Sequence, residues 1–425
     1  MVTSQAASDP VAPTRRAPFV LAPFRGLRFD PRSVGDLGSV VSPPYDVLDA
    51  DTVRDLEAAN QRNIVRLILP RRYERPYRAV RRRLDRWRDQ GFLRPDPVPA
   101  LYLYQYTADD RTVRGLVGLV GLRTAEEGII LPHEDVMPGP VHDRTVLMRT
   151  TGTNPEPILL VHQGTPALRE LLEATSRQRP DADFVAGDGS HHQLWLITGP
   201  DRLAELATAL ASTRALIADG HHRYAAYLEM QRRERPAGSP SDNSPWDFGL
   251  AMLVDQHDYP LTIGPIHRSV AALTLSDVLD LSAERGDHVT SCANRESALG
   301  TLSRLGGDRQ APAGAWSASF AVSDGHTWAL VTTHGRGERP VDAAVLHEVL
   351  FPAWGVADAQ VGYHHTIDQA LHTTSDQPGI VIAVRPPSLE QVMDSAARGE
   401  RMPRKSTSFS PKPRMGVVLR DLRDA

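Results

Sequence analysis

The chain has 425 residues, a formal net charge of −4 at pH 7 and a single cysteine, Cys292. This charge balance shows no global bias toward nucleic acid, and one cysteine cannot form an intramolecular disulfide or a cysteine-cluster metal site. The segment 1–18 is polar and lacks an apolar core, and no apolar run elsewhere is long enough to span a bilayer. We therefore expect a soluble protein of a reducing cytoplasm, with no membrane partner.

The N-terminal part combines short strands with one arginine-rich helix. Residues 18–30 indicate a short strand and a turn, and 64–69 a further strand. Between them, the Ser-Pro-Pro-Tyr-Asp sequence at 42–46 is a rigid corner, because two prolines restrict the backbone. The corner is either a buried turn or a device that presents Tyr45 and Asp46 to a ligand. Residues 71–90 carry nine arginines, but apolar residues at helical spacing favour an amphipathic helix over a nucleic-acid site.

A hairpin and a charged loop come next. Residues 101–106 and 113–122 predict the two strands of the hairpin, and 131–144 predict a loop rich in Pro and Gly. The loop carries, in order, His133, Glu134, His142, Asp143 and Arg144. No second histidine follows at a spacing of four, so the zinc-protease motif is absent. Acid, base and arginine together either complete a phosphoryl-transfer site or form an exposed charged loop.

The most informative stretch lies at 214–227. It is preceded by a predicted strand at 158–162, a helix at 166–176, a strand-turn-strand unit at 184–197 and a helix at 201–212. An apolar run then ends in Asp-Gly and a segment of helical period begins at once, which predicts strand, tight turn and helix. The unpaired amide groups and the dipole of a helix N-terminus favour an anion such as a phosphate.

The side chains at this turn have distinct expected roles. Asp219, at the end of the strand, is expected to meet a metal ion or take a proton. Arg223 adds a fixed fork of donors for a phosphate. Neighbouring helical residues diverge by about 100°, so His221 and His222 are not predicted to share one metal ion.

The remaining sequence indicates an α/β protein with mixed sheets and α+β character. Predicted strands at 248–254, 316–322, 328–333 and 379–384 alternate with helices at 343–350 and 389–398, and a further strand ends at 265–268. The predicted division is a tail at 1–17, an N-terminal α/β region at 18–235, a Pro/Gly/Ser linker at 236–245 and a C-terminal α/β region at 246–425. We expect the second region to pack on the first.

The basic residues carry a further signal. Of 48 lysines and arginines, only Lys405 and Lys412 are lysine, and both lie in one short motif. A compact ammonium can contact a phosphate oxygen or shift its pKa where a guanidinium cannot. The alternative is coincidence on a mobile tail. We predict that this motif folds back over the turn at Asp219.

Five motifs, taken in order, resemble the DUF1015 family. They are Pro-Pro-Tyr-Asp at 43–46, His-Glu and Asp-Arg at 133–134 and 143–144, Ala-Asp-Gly-His-His-Arg-Tyr at 218–224, Pro-x-His-Arg at 265–268, and Met-Pro-x-Lys-Ser-Thr-x-Phe-x-Pro-Lys at 402–412. The resemblance spans about residues 18 to 422. The chain departs from the family at Val136, where Thr is usual, and at Ser408 and Ser410, where aromatic residues are usual. These departures leave the identity of the acceptor open, since a specialised member of the family could have changed it.

The Asp-Gly-His-His-Arg element also resembles the Asp-Gly-x-His-Arg element of the ParB/sulfiredoxin superfamily, which includes sulfiredoxins, ParB-type CTP hydrolases and free-serine kinases. This second resemblance implies a ParB/sulfiredoxin-like nucleotide-binding core within 18–235. Phosphates of ATP, ADP or another nucleotide would be held at residues 219–223.

These inferences lead to a nucleotide-dependent phosphotransferase that acts on the hydroxyl of a small polar metabolite, with serine-like hydroxy amino acids first. Mg²⁺, held with the help of Asp219, would bridge the phosphates, and Glu134 or Asp46 would orient or deprotonate the acceptor. The predicted catalytic residues are Asp219, Glu134, His133, Asp46 and Lys405. The predicted nucleotide-binding residues are Gly220, His221, His222, Arg223, Arg144, His267, Arg268, Ser406, Thr407 and Lys412.

Two other classes of function remain open. The first is a ParB-like nucleotide-hydrolysing switch or regulatory binding protein whose partner is DNA or a protein. The basic helix at 71–90 supports it, but no DNA-reading helix-turn-helix is evident. The second is a non-catalytic scaffold in which Asp219 caps the following helix and the histidines are satisfied in a core.

Overall fold

The structure is a computed structural model that describes residues 18–70, 76–108, 110–235, 244–305, 314–376 and 378–424. The helices are α1 (Pro31–Val34), α2 (Ala50–Ala59), α3 (Val65–Ile68), α4 (Pro76–Asp89), α5 (Pro138–Thr151), α6 (Pro166–Ser176), α7 (Pro200–Leu210), α8 (His221–Glu234), α9 (Leu275–Glu284), α10 (Arg295–Arg304), α11 (Asp342–Val345), α12 (Phe351–Ala353), α13 (Ile367–Asp376) and α14 (Leu389–Ala397). A π-helical turn, Leu346–Leu350, joins α11 to α12. No helix in these ranges is both long and apolar enough to cross a membrane.

The strands form two larger sheets and three two-stranded pairs. They are β1 (Leu21–Ala22), β2 (Leu27–Phe29), β3 (Leu93–Pro95), β4 (Leu101–Ala108), β5 (Arg111–Gly121), β6 (Ile130–Leu131), β7 (Thr153–Asn154), β8 (Ile158–His162), β9 (Ala182–Val185), β10 (His191–Ile197), β11 (Ala215–Asp219), β12 (Phe248–Asp255), β13 (Thr262–Gly264), β14 (His267–Ala271), β15 (His288–Cys292), β16 (Ala315–Ser323), β17 (Trp328–Arg336), β18 (Val361–His364), β19 (Gly379–Ala383), β20 (Ser408–Ser410) and β21 (Arg420–Asp421). The predicted α/β class with mixed sheets is confirmed.

The first sheet is mixed and carries the site. Its order is β6-β11-β8-β12-β5-β4-β10-β9, with β1 paired to β5. β11 runs parallel to β6 and β8 parallel to β12, whereas the hairpin of β4 and β5 is antiparallel, as predicted. The central strands are apolar on both faces, since alternate residues of each enter two different cores.

Two different layers cover the faces of this sheet. Helices α5 to α8 contribute Met148, Leu168, Leu206 and Tyr224 to the core on one face. The opposite face is covered by the C-terminal part of the chain, through Val392 and Ala396 of α14 and then Met402, Phe409 and Val418. The C-terminal part of the chain therefore forms one of the two layers packed on the first sheet.

The second sheet is antiparallel throughout, in the order β15-β17-β16-β19-β14-β18. Helix α9 and the α11–α12 segment cover one face, and α10 and α13 cover the other. Most of the predicted linker, 236–243, lies outside the described residues. The strand that follows it, β12, lies between β8 and β5 in the first sheet, so the two sheets separate after β12.

Three local predictions are wrong, and the first is the strand expected to end at 265–268, because β14 begins at His267. Residues 64–69 contain the short helix α3, because Asn63 accepts from the amide of Val65 and starts a helical turn inside an apolar core. Asp143 and Arg144 lie within α5, where Pro138 starts the helix and only residues before it form the loop. The amphipathic helix is confirmed over α4: Val80, Leu84 and Trp87 are buried. Residues 71–75 of that prediction lie outside the described part.

Candidate functional site

The predicted strand, turn and helix at Asp219 are confirmed. β11 ends at Asp219, Gly220 adopts a left-handed φ of 95°, and α8 begins at His221. A Cβ on Gly220 would come within 2.9 Å of Ile158 Cγ2, so both the turn and the packing require glycine. The Asp219 side chain makes no capping bond to the helix. The helix cap that the scaffold hypothesis expected from Asp219 is therefore not made.

Lys412 joins two carboxylates at this turn. Its Nζ donates to Asp46 Oδ2 at 2.8 Å and to Asp219 Oδ1 at 2.6 Å. The predicted fold-back of the lysine motif over Asp219 is therefore confirmed. Burial would lower the pKa of Lys412, but Asp219 and Asp46 hold it above its usual range. Asp219 Oδ2 accepts from Arg223, so both oxygens of that carboxylate have a cationic partner.

Asp46 keeps one oxygen free of partners. Its side chain is 16% exposed, and Oδ1 is a buried atom without a hydrogen bond. Burial alone would raise the pKa of Asp46, but the charges of Lys412 and Lys405 outweigh it and hold the pKa well below its usual range. The carboxylate is thus ionised at neutral pH, and its Oδ1 makes no hydrogen bond to any residue that the structure describes. Buried acceptors without a partner are uncommon and point to function.

Glu134 is committed to the lysine motif. Its Oε1 accepts from the amide of Thr407 at 2.8 Å and from Thr407 Oγ1 at 2.6 Å, and its Oε2 accepts from the amide of Lys405 at 3.1 Å. Burial would raise the pKa of Glu134, but His133, His221 and Thr407 hold it well below its usual range. This carboxylate fixes residues 405–407 above the turn.

Lys405 has an unusual backbone at the same place. Its φ is 58°, in the left-handed region that side chains other than glycine rarely adopt. Glu134 holds its amide, and Arg268 Nη2 donates to its carbonyl oxygen at 3.0 Å. Such conformations persist when the surroundings determine them, and they cluster at functional sites.

The three predicted histidines, His133, His221 and His222, form hydrogen bonds to other parts of the chain. Because Thr407 Oγ1 gives its proton to Glu134, it accepts from His133 Nε2 at 2.8 Å. His221 Nε2 accepts from the amide of His133, and His222 Nε2 accepts from the amide of Met137. Burial lowers the pKa of His221 and brings that of His222 to about 4, so both rings are neutral at pH 7.

These residues line one cavity, which we call the central cleft. Its lining includes Tyr45, Asp46, Glu134, Asp219, Gly220, His221, His222, Arg223, Ile266, His365, Lys405, Thr407 and Lys412. Both lysines of the chain therefore face the same space. The cleft encloses about 40 Å³, which is enough for an ion or a water molecule.

Five predicted site residues do not line the central cleft: His133, whose bond to Thr407 is described above, and Arg144, His267, Arg268 and Ser406. Arg144 donates to the carbonyl of Ile68 and stacks on Tyr45, with its Cζ 4.5 Å from the ring centroid. Arg268 donates to the carbonyl of Lys405 and lies over the ring of Tyr363. His267 accepts from the amide of Val384, and Ser406 Oγ donates to the carbonyl of Pro403. These side chains lie behind the residues that line the cleft, where they contact either those residues or the second sheet.

The family described as "Protein of unknown function (DUF1015)" matches residues 21–350, more than half of the chain. The chain belongs to the DUF1015 family. No curated protein matches it at a significant level.

Solved structures similar to this DUF1015 protein share little sequence with it. A free serine kinase mutant in complex with ADP is 14% identical, covers 72% of this chain and 92% of its own, and has a TM-score of 0.38. A conserved hypothetical protein from Pyrococcus furiosus is 15% identical over 73% and 96%, with a TM-score of 0.37. SbnI with a C-terminal truncation from Staphylococcus aureus is 13% identical over 72% and 87%, with a TM-score of 0.36. At these low scores, the DUF1015 site has to be interpreted from its own geometry.

Sequence reasoning missed three residues of the DUF1015 site: Ile266 and His365, which line the cleft, and Glu156 behind it. Glu156 is buried behind Arg223 and Arg144, and burial raises its pKa above the usual range, which those two arginines oppose. Its Oε1 has no hydrogen-bond partner within the described part of the chain. The available signal was the Pro-Glu-Pro sequence at 155–157, a carboxylate held between two prolines directly before β8.

The DUF1015 cleft offers few ligands for a resident metal ion. No group of three or more His, Cys, Asp or Glu side chains that could hold a metal gathers within the described ranges. Mg²⁺, however, is often bound by one or two carboxylates together with substrate phosphates. Asp46 Oδ1 is a donor of that kind, so the residues present fit a metal ion that arrives with a phosphate ligand.

Acidification is expected to destabilise this DUF1015 protein between about pH 6.5 and pH 4. Burial lowers the pKa values of His222 and His267 to about 4 in the folded protein, from 6.5. In that window the unfolded chain binds protons on both rings and the folded protein does not. The free energy of unfolding should therefore fall as the pH falls, by about 1.4 kcal/mol per pH unit for each ring. Urea denaturation at several pH values measures this slope.

The matched variant for that measurement is His267→Gln, whose amide oxygen can still accept from Val384. It should remove one ring's share of the pH slope. A slope identical to that of the native protein would contradict the assignment.

Proposed function

We propose that this protein is a nucleotide-dependent phosphotransferase that acts on the hydroxyl of a small metabolite, with hydroxy amino acids first. The observation that carries the proposal is the single ammonium of Lys412 between Asp46 and Asp219, next to a carboxylate oxygen without a partner. Phosphoryl transfer needs positive charge for the transferred group and a carboxylate for the acceptor hydroxyl. The central cleft contains both the positive charge and the carboxylate.

Two lysines supply the positive charge in this proposal. The ammonium of Lys405 makes no hydrogen bond or ion pair with any described residue, so it is available to a phosphate. The ammonium of Lys412 contacts the transferred phosphoryl group, and it moves toward that group from the carboxylates of Asp46 and Asp219. The amide groups at the start of α8 add a positive dipole at the same point. Arg223 instead positions Asp219, because its guanidinium is bound to that carboxylate and to the carbonyl of Pro157.

Asp46 is the residue that handles the acceptor. Its Oδ1 accepts the hydroxyl proton as the acceptor oxygen forms a bond to the terminal phosphorus. The bond between that phosphorus and the bridging oxygen breaks, and the nucleotide leaves with one phosphate fewer. Glu134 is excluded from this role, because its oxygens are bound to residues 405–407. A bound Mg²⁺ would neutralise charge on the phosphates, held on the protein side by Asp46 or Asp219.

Calorimetry with a panel of nucleotides, each with and without Mg²⁺, tests the first half of this proposal. We expect at least one nucleotide to bind more tightly with Mg²⁺. Free serine, homoserine and threonine are then screened for a phosphorylated product, with nucleotide hydrolysis in the absence of acceptor as the control. If no nucleotide binds, the proposal is wrong. Hydrolysis that no acceptor diverts would support the nucleotide-hydrolysing switch instead.

A further inference from the structure

A second cavity opens beside the central cleft. It encloses about 340 Å³ and shares Lys412 and His365 with the central cleft. We call it the Arg414 pocket, after the residue at its far side. Its lining includes Pro43, Tyr106, Asp188, Ser408, Lys412 and Arg414. A space of this size is at the lower end of the range found for small-molecule sites.

Arg414 presents donors that the protein does not use. Its side chain is only 13% exposed and pairs with Asp188 through Nη2. The other nitrogens of this guanidinium make no hydrogen bond to any residue that the structure describes. These nitrogens are not among the buried atoms without a partner, so they keep contact with solvent and a ligand in the pocket can reach them. Because a guanidinium matches a carboxylate in a two-bond fork, these donors point to a ligand carboxylate.

Asp188 supplies the opposite charge next to Arg414. Its Oδ1 accepts from Ser190 Oγ at 2.6 Å, which orients the carboxylate, and its side chain is 51% exposed. The opening of the pocket thus carries one guanidinium and one carboxylate side by side. That arrangement complements a zwitterion, with the ligand carboxylate on Arg414 and its ammonium at Asp188.

Apolar side chains form one part of the pocket's remaining wall, beside serine and histidine side chains. Pro43 and Tyr106 form walls, and Val47 is 40% exposed beside them. Ser408 and Ser410 lie on one face of β20, because side chains alternate along a strand. Their small size leaves space that larger side chains would fill. Ser408 Oγ is held 3.1 Å from His365 Nδ1, at the boundary with the central cleft.

We propose that the Arg414 pocket binds the acceptor and that the acceptor is a hydroxy amino acid with an apolar body larger than that of serine. This inference rests on the proposed function for the transfer step, but the binding of the amino acid does not depend on it. The carboxylate lies on Arg414, the ammonium at Asp188 and the apolar body against Pro43 and Tyr106. The hydroxyl then faces Lys412, which lines both cavities and whose ammonium is bound to Asp46 of the central cleft.

Calorimetry with nucleotide-free protein tests the pocket. The probes are 3-phenylserine and the amino alcohol that lacks its carboxylate. We expect 3-phenylserine to bind, Arg414→Met to weaken it at least about 10-fold, and the amino alcohol to bind weakly and equally to both proteins. Arg111→Met, which removes an exposed arginine at the start of β5, is the matched control and should change neither affinity.

A second variant covers the case in which Arg414→Met does not fold. Ser408→Phe fills the pocket and should weaken 3-phenylserine more than it weakens free serine. The inference is wrong if neither amino acid binds, if the amino alcohol binds as tightly as 3-phenylserine, or if Arg414→Met leaves both affinities unchanged. It is also wrong if the variant weakens nucleotide in place of amino acid, since the pocket would then belong to the nucleotide. Amino acid binding without any phosphorylated product would overturn the proposed function alone.

Discussion

Lys412→Met is expected to lower the free energy of unfolding by about 3 kcal/mol and to abolish phosphoryl transfer. The substitution keeps the length of the side chain but leaves the carboxylates of Asp46 and Asp219 facing each other without their shared ammonium. Breaking a buried ion pair by removing one partner costs about 3–5 kcal/mol, and the lower end applies because these side chains keep 10% to 16% exposure. Urea denaturation and a coupled turnover assay measure the two effects.

The pH dependence of this deficit identifies its cause. Without the lysine, two carboxylates share one small space, so the pKa of one of them rises above its unfolded value. A carboxyl group whose pKa is raised in the folded protein stabilises that protein at low pH. This stabilisation is lost as the pH rises through the raised pKa. The deficit of Lys412→Met should therefore be largest near about pH 8 and smaller near about pH 5. A deficit that does not change with pH would mean that lost packing, not charge, explains it.

Two further variants separate charge from the identity of the residue. Adding Asp46→Asn to Lys412→Met removes the repulsion and should restore most of the stability without restoring turnover. Lys405→Met removes the other lysine, which has no ionic partner among the described residues, and should leave the free energy of unfolding within about 0.5 kcal/mol. If Lys405→Met destabilises the protein as much as Lys412→Met, the bridging ammonium is not the source of the effect.

The sequence was most informative where chemistry and backbone constrain the same residues. The Asp-Gly turn, the helix that follows it and the distant lysine motif were all predictable, because glycine, helical period and two lysines among many arginines are visible without a structure. The contact between Lys412 and Asp219 spans nearly two hundred residues, and residue type alone indicated it. The small-residue positions Ser408 and Ser410 were also visible, although the pocket beside them was not.

Buried arginines were the main source of error. Arg144 and Arg268 have the same side chain as a phosphate ligand, and nothing in a single sequence shows that their donors go to the carbonyls of Ile68 and Lys405. Glu134 illustrates the same problem for acids, since its partners lie about 270 residues away in the chain. The prediction of a strand at 64–69 was wrong for another reason. A short apolar run does not distinguish a buried helical turn from a strand.

The structure also relates the two sheets to the site. Asp219 belongs to the first sheet, whereas Arg268 on β14 of the second sheet holds the carbonyl of Lys405. Both lysines of the cleft are carried by the C-terminal segment, which contacts the first sheet at Asp219 and the second sheet at Arg268. A site assembled in this way depends on the complete chain, so neither sheet alone should retain nucleotide binding.

Asp46→Asn is expected to reduce turnover about 10²- to 10⁴-fold while the affinity for nucleotide stays within about threefold. The amide oxygen can still accept from Lys412, so the geometry around the ammonium is kept. If that oxygen faces Lys412, an NH₂ group takes the place of the oxygen that would accept the proton of the acceptor hydroxyl. In either orientation the side chain is uncharged and cannot act as the base. Steady-state turnover and calorimetry on the same preparation separate the two quantities.

The matched control for Asp46→Asn is Asp219→Asn, which removes one negative charge from the same ammonium but leaves Asp46 intact. It should weaken nucleotide binding in the presence of Mg²⁺ more than it slows the bound complex, because Asp219 is assigned to the metal and phosphate side. Asp46 and Asp219 would then differ in which kinetic constant each controls, although both contact Lys412 in the same way. If Asp46→Asn folds and retains turnover, Asp46 is not the acceptor base, and the partnerless oxygen must serve the metal ion instead.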